Sequence, residues 1–98
     1  MNAAPAFINL TEKEIQFLHL CLNYDTIEEQ LGDNYSNAGI DEAMDLFPEH
    51  DAKKTRRQAA GGLLTSLTNK GLGSHDDECD MFCLSEFGVQ IAFADKTA

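Results

Sequence analysis

Apolar and polar positions follow the period of a helix near the start of the chain. Thr11 and Glu14 form a capping box, which predicts that a first helix begins there and runs to about Asn23 or Tyr24. Its apolar stripe is Ile15, Leu18, Cys21 and Leu22.

The next stretch predicts shorter elements. Residues 25–31 have the pattern of a short helix that Gly32 stops, and residues 33–37 have turn chemistry. A second main helix is predicted over about 40–47, and Pro48 follows it as a stop signal.

A third main helix is predicted to begin between Asp51 and Thr55, both of which suit an N-cap, and to end at Lys70. Gly71 suits the left-handed position that follows a helix. On a helical wheel the apolar side chains cluster on one side. They are Ala59, Ala60, Leu63, Leu64 and Leu67.

The third helix contains Gly61 and Gly62 in its middle. Each glycine costs about 1 kcal/mol of helix stability relative to alanine. The pair therefore favours a close approach there, either to a neighbouring helix or to a ligand.

The C-terminal third predicts a hairpin and a last helix. Strands are predicted over 72–75 and 79–84, around an acidic tip, and Ser85 caps a helix over 86–94. The predicted fold is mainly α with a small β-hairpin, of the α+β class. The predicted core consists of Ile15, Leu18, Leu22, Leu63, Leu64, Leu67, Phe82 and Leu84.

Length and composition indicate one globular domain over residues 1–98, with 1–9 as an N-terminal tail. No apolar run approaches the roughly 20 residues that span a bilayer, so no membrane partner is expected. The first residues lack the pattern of a secretion signal, and we expect a cytoplasmic protein with reduced cysteines.

Charge is segregated along the chain. Residues 53–70 hold five basic residues and no acid, a net charge of +5. The remaining residues hold all 17 acids and two lysines, a net charge of −15. This distribution marks the third helix as the candidate surface for an anionic partner.

Residue patterns for catalysis or metal binding are missing from the sequence. There is no nucleophile–base pair, no phosphate-cradling glycine loop and no carboxylate dyad. Cys79 and Cys83 would lie about 13 Å apart on one strand, too far to share a metal ion with His75. We expect no enzyme activity, no metal and no cofactor.

Three motifs resemble the winged helix-turn-helix superfamily, especially small DNA-binding regulators of the multiple-antibiotic-resistance-regulator (MarR) type. The run from Gly62 to Leu72, GLLTSLTNKGL, is similar to the end of a recognition helix and the turn into the wing. Leu84 to Gly88, LSEFG, is similar to the step from the wing into the next helix. Leu10-Thr11-x-x-Glu14 resembles the start of the first helix. The resemblance implies binding of double-stranded DNA with the third helix in the major groove.

The basic helix supplies the predicted DNA contacts. Lys54, Arg57, Gln58 and Thr65 are expected to read bases, because arginine pairs with guanine and glutamine with adenine. Lys53, Arg56 and Lys70 are expected to hold phosphates. The chain is expected to act as a transcriptional regulator, a monomer or small homodimer.

Two alternatives remain open from the sequence. The basic helix start could pair with the protein's own acids, such as Glu49 and Asp51. The chain could instead be a protein–protein interaction module, or a phage-type inhibitor that mimics nucleic acid. In that case the acidic surface formed by Asp76, Asp77 and Glu78 would bind a protein partner.

Overall fold

Five helices and one two-stranded antiparallel hairpin make up the described part of the chain, which confirms a mainly α fold of the α+β class. The computed structural model describes residues 9–33 and 38–96. Most of the predicted tail (1–8) and of the predicted turn (34–37) lies outside these residues. The elements are α1 (Glu12–Leu20), α2 (Ile27–Asp33), α3 (Ile40–Met44), α4 (Lys53–Asn69), β1 (Gly73–Asp76), β2 (Met81–Leu84) and α5 (Glu86–Lys96). None of the helices in these ranges is long and apolar enough to cross a membrane.

Helix α1 begins with the predicted capping box. The Thr11 hydroxyl accepts the Glu14 N–H at 3.1 Å, and the Glu14 carboxylate accepts the Thr11 N–H at 2.8 Å. The helix ends at Leu20, earlier than predicted, because the chain turns toward α2. There the buried amide of Gln30 accepts the Asn23 N–H at 2.9 Å and donates to the Cys21 carbonyl at 3.3 Å.

The buried face of α1 differs from the predicted stripe. Ile15 is only partly buried and is not part of the core, so its assignment is wrong, whereas Leu22 is partly buried and packs against the core. Phe17 is fully buried instead, and its ring packs edge-on against Phe82, with centroids 5.6 Å apart. The other predicted core residues are buried as expected: Leu18, Leu63, Leu64, Leu67, Phe82 and Leu84.

The hairpin packs on the start of α3. The Asp80 carboxylate accepts the Ile40 N–H at 2.8 Å, and the Phe82 N–H donates to the Ala38 carbonyl at 2.8 Å. Gly39 is required between them, because a Cβ there would lie 2.0 Å from the Asp80 carbonyl oxygen. Helix α3 starts at Ile40 as predicted but ends at Met44, short of the predicted end.

Helix α4 is long and has its apolar face in the core. Its N-cap is Ala52, with no side-chain cap, so the prediction of Asp51 or Thr55 as N-cap is wrong. The Thr55 hydroxyl donates to the Ala52 carbonyl at 3.0 Å instead. Gly71 follows the helix with a φ of 78°, which confirms the predicted left-handed position.

The mid-helix glycines of α4 do not contact a neighbouring helix. A Cβ at Gly61 or Gly62 would meet no heavy atom within 4 Å in the described structure. The expectation of a close helix–helix approach is therefore wrong, and the ligand half of that expectation remains a prediction.

The hairpin pairs His75 with Phe82 and Asp76 with Met81. The second strand begins at Met81 rather than residue 79, because residues 77–80 form the turn and Asp80 adopts a φ of 50°. The Ser85 hydroxyl accepts the Gly88 N–H at 3.0 Å, which confirms Ser85 as the cap of α5.

Candidate nucleic-acid interface

The first two turns of α4 carry exposed basic and amide side chains. Lys53, Lys54, Arg57 and Gln58 are all exposed. Within the described ranges, none of the three cations has a carboxylate within 4.0 Å. The first turn contains no acidic residue, so its backbone N–H groups add to the positive potential.

Acids near this helix start do not neutralise it. Glu49 pairs with Lys13 of α1, with Nζ and Oε2 3.5 Å apart. Its own backbone N–H, followed by the Lys13 charge, lowers the pKa of the Glu49 carboxyl. Asp51 is exposed and makes no ion pair with Lys53, Lys54 or Arg57 in the described structure.

Arg56 faces away from the exposed surface of α4. Its Nε and Nη2 atoms donate to the His50 carbonyl oxygen at 3.2 and 2.8 Å. The guanidinium thus holds the segment that joins α3 to α4. The predicted phosphate contact by Arg56 would require these hydrogen bonds to break.

Lys70 lies at the opposite end of α4, about 26 Å from Lys53 at the rise of an α-helix. Its ammonium donates to the Glu14 carboxylate at 2.7 Å and to the Asn9 carbonyl at 2.6 Å. Lys70 is thus separated from the other predicted contacts and is held by a buried acid.

The sequence identifies Glu14 only as a cap of α1, but its carboxylate also binds side chains of α4 and of the residue that follows it. It is 2% exposed and also accepts the Ser66 hydroxyl. Burial raises the pKa of Glu14, but the hydrogen bonds from Lys70, Ser66 and Thr11 and the Lys70 charge together lower it below the ordinary value. The network joins α1 to the C-terminal half of α4.

A groove of about 700 Å³ lies between α4, the hairpin and the start of α3. Arg57, Gly61 and Thr65 succeed one another along its α4 side, four residues apart and therefore on one helix face. Lys54 and Gln58 fall on the same sector of the helical wheel, toward the N-terminus. The structure thus groups Lys54, Arg57, Gln58 and Thr65, all predicted as base-reading residues, on one exposed surface.

The hairpin side of the groove carries His75, Asp77 and Asp80. The imidazole lies between the two carboxylates, with Nδ1 2.9 Å from an Asp77 oxygen and Nε2 2.8 Å from an Asp80 oxygen. Sequence reasoning missed this cluster, because the left-handed turn at Asp80 that brings it together has no glycine or asparagine to mark it.

The predicted acidic surface is exposed at the hairpin tip. Asp76, Asp77 and Glu78 all face solvent. The Glu78 N–H donates to Asp76 at 3.0 Å, and this bond, followed by one from Cys79, lowers the pKa of the Asp76 carboxyl. These acids would repel phosphates, so the tip is unsuited to the DNA contact that a basic hairpin makes.

In residues 9–33 and 38–96, no group of three histidine, cysteine or acidic side chains is placed to hold a metal ion. Comparisons with family models, with curated proteins and with solved structures find no match for the chain.

Proposed function

We propose that this chain is a winged helix-turn-helix protein that binds double-stranded DNA and regulates transcription. The observation that carries the proposal is the exposed face at the start of α4, on which Lys53, Lys54 and Arg57 have no acidic partner in the described structure. Three unneutralised cations at a helix N-terminus on a strongly acidic protein point to an anionic ligand.

The order of elements supports the winged-helix assignment. Helix α3 packs against α4, and the hairpin follows α4 directly and packs against it. This is the arrangement in which the second helix of a helix-turn-helix unit enters the major groove. At about 26 Å in length, α4 can place its first two turns in a groove that is about 12 Å wide.

Each exposed side chain on α4 has a distinct role in the proposal. Arg57 and Gln58 contact base edges, with guanine and adenine as their preferred partners. Lys53 and Lys54, in the first turn of α4, hold phosphates, so Lys54 has a phosphate contact in this proposal rather than the base contact expected from the sequence. Arg56 and Lys70 stabilise the protein through their internal contacts and are not part of the proposed contact surface.

The salt dependence of DNA binding tests the proposed phosphate contacts directly. Binding of a random-sequence duplex, followed by fluorescence anisotropy, should weaken steeply between about 50 and about 200 mM salt. With two phosphate contacts, from Lys53 and Lys54, the slope of log Kobs against log salt should be about −2. Binding that does not change with salt would contradict the proposal.

The variant Arg57→Glu tests the assigned surface. It should abolish DNA binding and leave the thermal midpoint nearly unchanged, because Arg57 is exposed and makes no ion pair in the described structure. Lys96→Glu, the same charge reversal at the end of α5, is the matched control and should bind like the unaltered protein. Equal binding by the two variants would remove α4 from the interface.

A second candidate function rests on the exposed acids at the hairpin tip. Asp77 has 93% of its side-chain surface exposed, and Asp76 and Glu78 lie beside it. Such a surface fits a basic protein partner, as in an inhibitor that mimics nucleic acid. This function predicts no salt-dependent DNA binding, together with loss of a partner when all three acids become Asn or Gln. A captured partner that binds the triple variant normally would exclude the tip as its site.

A further inference from the structure

His75 is held in an unusual position on the inner face of the hairpin. Its side chain is 18% exposed, and each ring nitrogen lies within hydrogen-bond distance of a different carboxylate. Asp77 faces Nδ1 at 2.9 Å and Asp80 faces Nε2 at 2.8 Å. No other pair of carboxylates in the described structure is bridged by one side chain in this way.

Only the protonated ring can satisfy both contacts. An imidazolium donates from both nitrogens, whereas a neutral imidazole donates from one and presents a lone pair at the other. A lone pair less than 3 Å from a carboxylate oxygen is repulsive. Loss of the proton must therefore open one of the two contacts.

The two carboxylates are not held equally. Asp80 also accepts the Ile40 N–H at 2.8 Å and the Asp41 N–H at 3.5 Å, which ties it to the start of α3. Burial raises the pKa of Asp80, but the Ile40 N–H and the His75 ring lower it more, so Asp80 stays ionised. Asp77 is almost fully exposed, and its contact with His75 is the one that opens.

The released group would face the proposed DNA contact. His75, Asp77 and Asp80 line the groove opposite Arg57, whose guanidinium is the charged group that α4 adds to it. With a protonated ring, the two cations balance the two carboxylates. With a neutral ring, the groove carries one negative charge in excess. Two further acids neighbour the cluster: Asp41, whose backbone N–H lies 3.5 Å from an Asp80 oxygen, and Asp76, which follows His75 at the end of β1.

We propose that His75 is a pH-sensitive clasp that controls access of DNA to α4. In its protonated form it holds Asp77 against the hairpin and neutralises the groove. In its neutral form it releases Asp77, whose charge then opposes phosphate binding beside Arg57. The consequence for DNA rests on the proposed function, whereas the clasp itself is a property of the free protein.

Binding of the random-sequence duplex at about pH 5.5 and about pH 8, at constant low salt, tests the consequence. The unaltered protein should bind roughly threefold more weakly at the higher pH, because loss of the ring proton makes the groove more negative by one unit charge near the phosphates. Asp77→Asn should reduce this difference, because the ring still loses its charge at the higher pH but no carboxylate is released beside Arg57. Glu78→Gln, which deletes the same charge at the same tip without touching the ring, should retain it.

His50 needs its own control, because it is a second histidine near the start of α4, where its carbonyl oxygen accepts two hydrogen bonds from Arg56. His50→Asn should keep the pH dependence, and His75→Asn should lose it. A pH dependence that follows His50, or that Glu78→Gln reduces as much as Asp77→Asn, overturns the clasp.

A nuclear magnetic resonance titration of the free protein separates the clasp from the proposed function. The His75 ring nitrogens and the Asp77 carboxyl carbon should shift together with pH, while the Asp80 carboxyl shifts little. Salt-dependent DNA binding that is equal at both pH values overturns the clasp and leaves the function standing. If no DNA binds at either pH, the proposed function is overturned. If the resonances of His75 and Asp77 shift independently in the titration, the clasp is overturned as well.

Discussion

Glu14 is a buried carboxylate whose charge the fold must compensate. An ionised group with 2% exposure is strongly unfavourable unless cations and hydrogen-bond donors surround it. Lys70 supplies the charge, and the Ser66 hydroxyl and Thr11 N–H supply further donors. This one side chain therefore caps α1 and at the same time anchors α1 to the far end of α4.

Lys70→Met should destabilise the protein by about 2 kcal/mol near neutral pH, because it leaves a buried carboxylate without its cation. The value is below that for a fully buried pair, since the Lys70 side chain is 30% exposed. Urea unfolding measures the change, and Lys54→Met on the exposed face of α4 is the control, with little effect expected. Equal midpoints for the two variants would contradict a stabilising role for the pair.

The pH dependence of this effect has a definite sign. Because the folded state lowers the pKa of Glu14, its ionisation stabilises the protein above the ordinary glutamate value of about 4.3. That stability is lost as the pH falls through the lower pKa of the folded state. The difference between Lys70→Met and the unaltered protein should therefore shrink in acid, and a constant difference would point to lost packing instead.

Helix α4 carries the proposed interface and also contains a weak point in its middle. Gly61 lines the groove and Gly62 is exposed outside it. Apart from their own helix backbone and chain neighbours, neither has an atom of the described residues within 4 Å of its Cβ position. Helix propensity therefore governs both sites as far as stability is concerned. The open space at Gly61 leaves room for a ligand to approach the helix backbone.

Gly61→Ala and Gly62→Ala should each stabilise the protein by about 1 kcal/mol, measured by urea unfolding. Larger side chains at the two positions should differ in their effect on DNA binding. Gly61→Leu should weaken DNA binding by filling the groove, whereas Gly62→Leu should bind normally. Equal DNA affinity for the two leucine variants would show that the groove beside α4 is not occupied by DNA.

The sequence predicts those features of the helices that depend on neighbouring residues. It does not predict helix ends that depend on contacts with distant residues. The capping box of Thr11 and Glu14 and the left-handed Gly71 involve neighbours in sequence, and both are found as expected. The end of α1 depends on the side chain of Gln30, which returns from the next helix. A sequence pattern does not reveal such a tertiary contact.

In the candidate interface, too, the sequence predicts local features but not long-range contacts. The wheel correctly predicts that Lys54, Gln58 and Thr65 lie opposite the apolar face, because exposure depends on helical period alone. It does not reveal that Lys70 is held by a residue 56 positions away. The His75 cluster depends on a left-handed Asp80, and the weak preference of aspartate for that conformation does not distinguish this residue from the other acids of the tip.

Across the whole molecule, folding concentrates the segregated charge further. Of the five basic residues in 53–70, Arg56 and Lys70 are used in internal contacts, and the other three stay on one end of α4. The remaining chain carries a net charge of −15. An anionic ligand is repelled by most of this surface, so the acidic body should direct it to the start of α4 rather than prevent binding.

One tight contact holds the last helix against the junction between α4 and the hairpin. Gly88 in the first turn of α5 lies against the Leu72 backbone, and a Cβ there would be 1.9 Å from the Leu72 carbonyl oxygen. That carbonyl also accepts the Ser85 N–H at 3.0 Å. The junction between α4 and β1 is therefore held directly against α5, and a side chain at position 88 would push them apart.

Gly88→Ala should destabilise the protein by about 2 kcal/mol, although the same substitution at Gly62 should stabilise it. Both sites are helical, so propensity favours alanine at both, and the difference in sign isolates the backbone contact. Urea unfolding of the two variants gives the comparison, and hydrogen exchange should show faster opening of β1 and α5 in Gly88→Ala. An unchanged or raised stability for Gly88→Ala would mean that α5 can shift away from Leu72 without cost, and that the hairpin is not fixed relative to α4 by this contact.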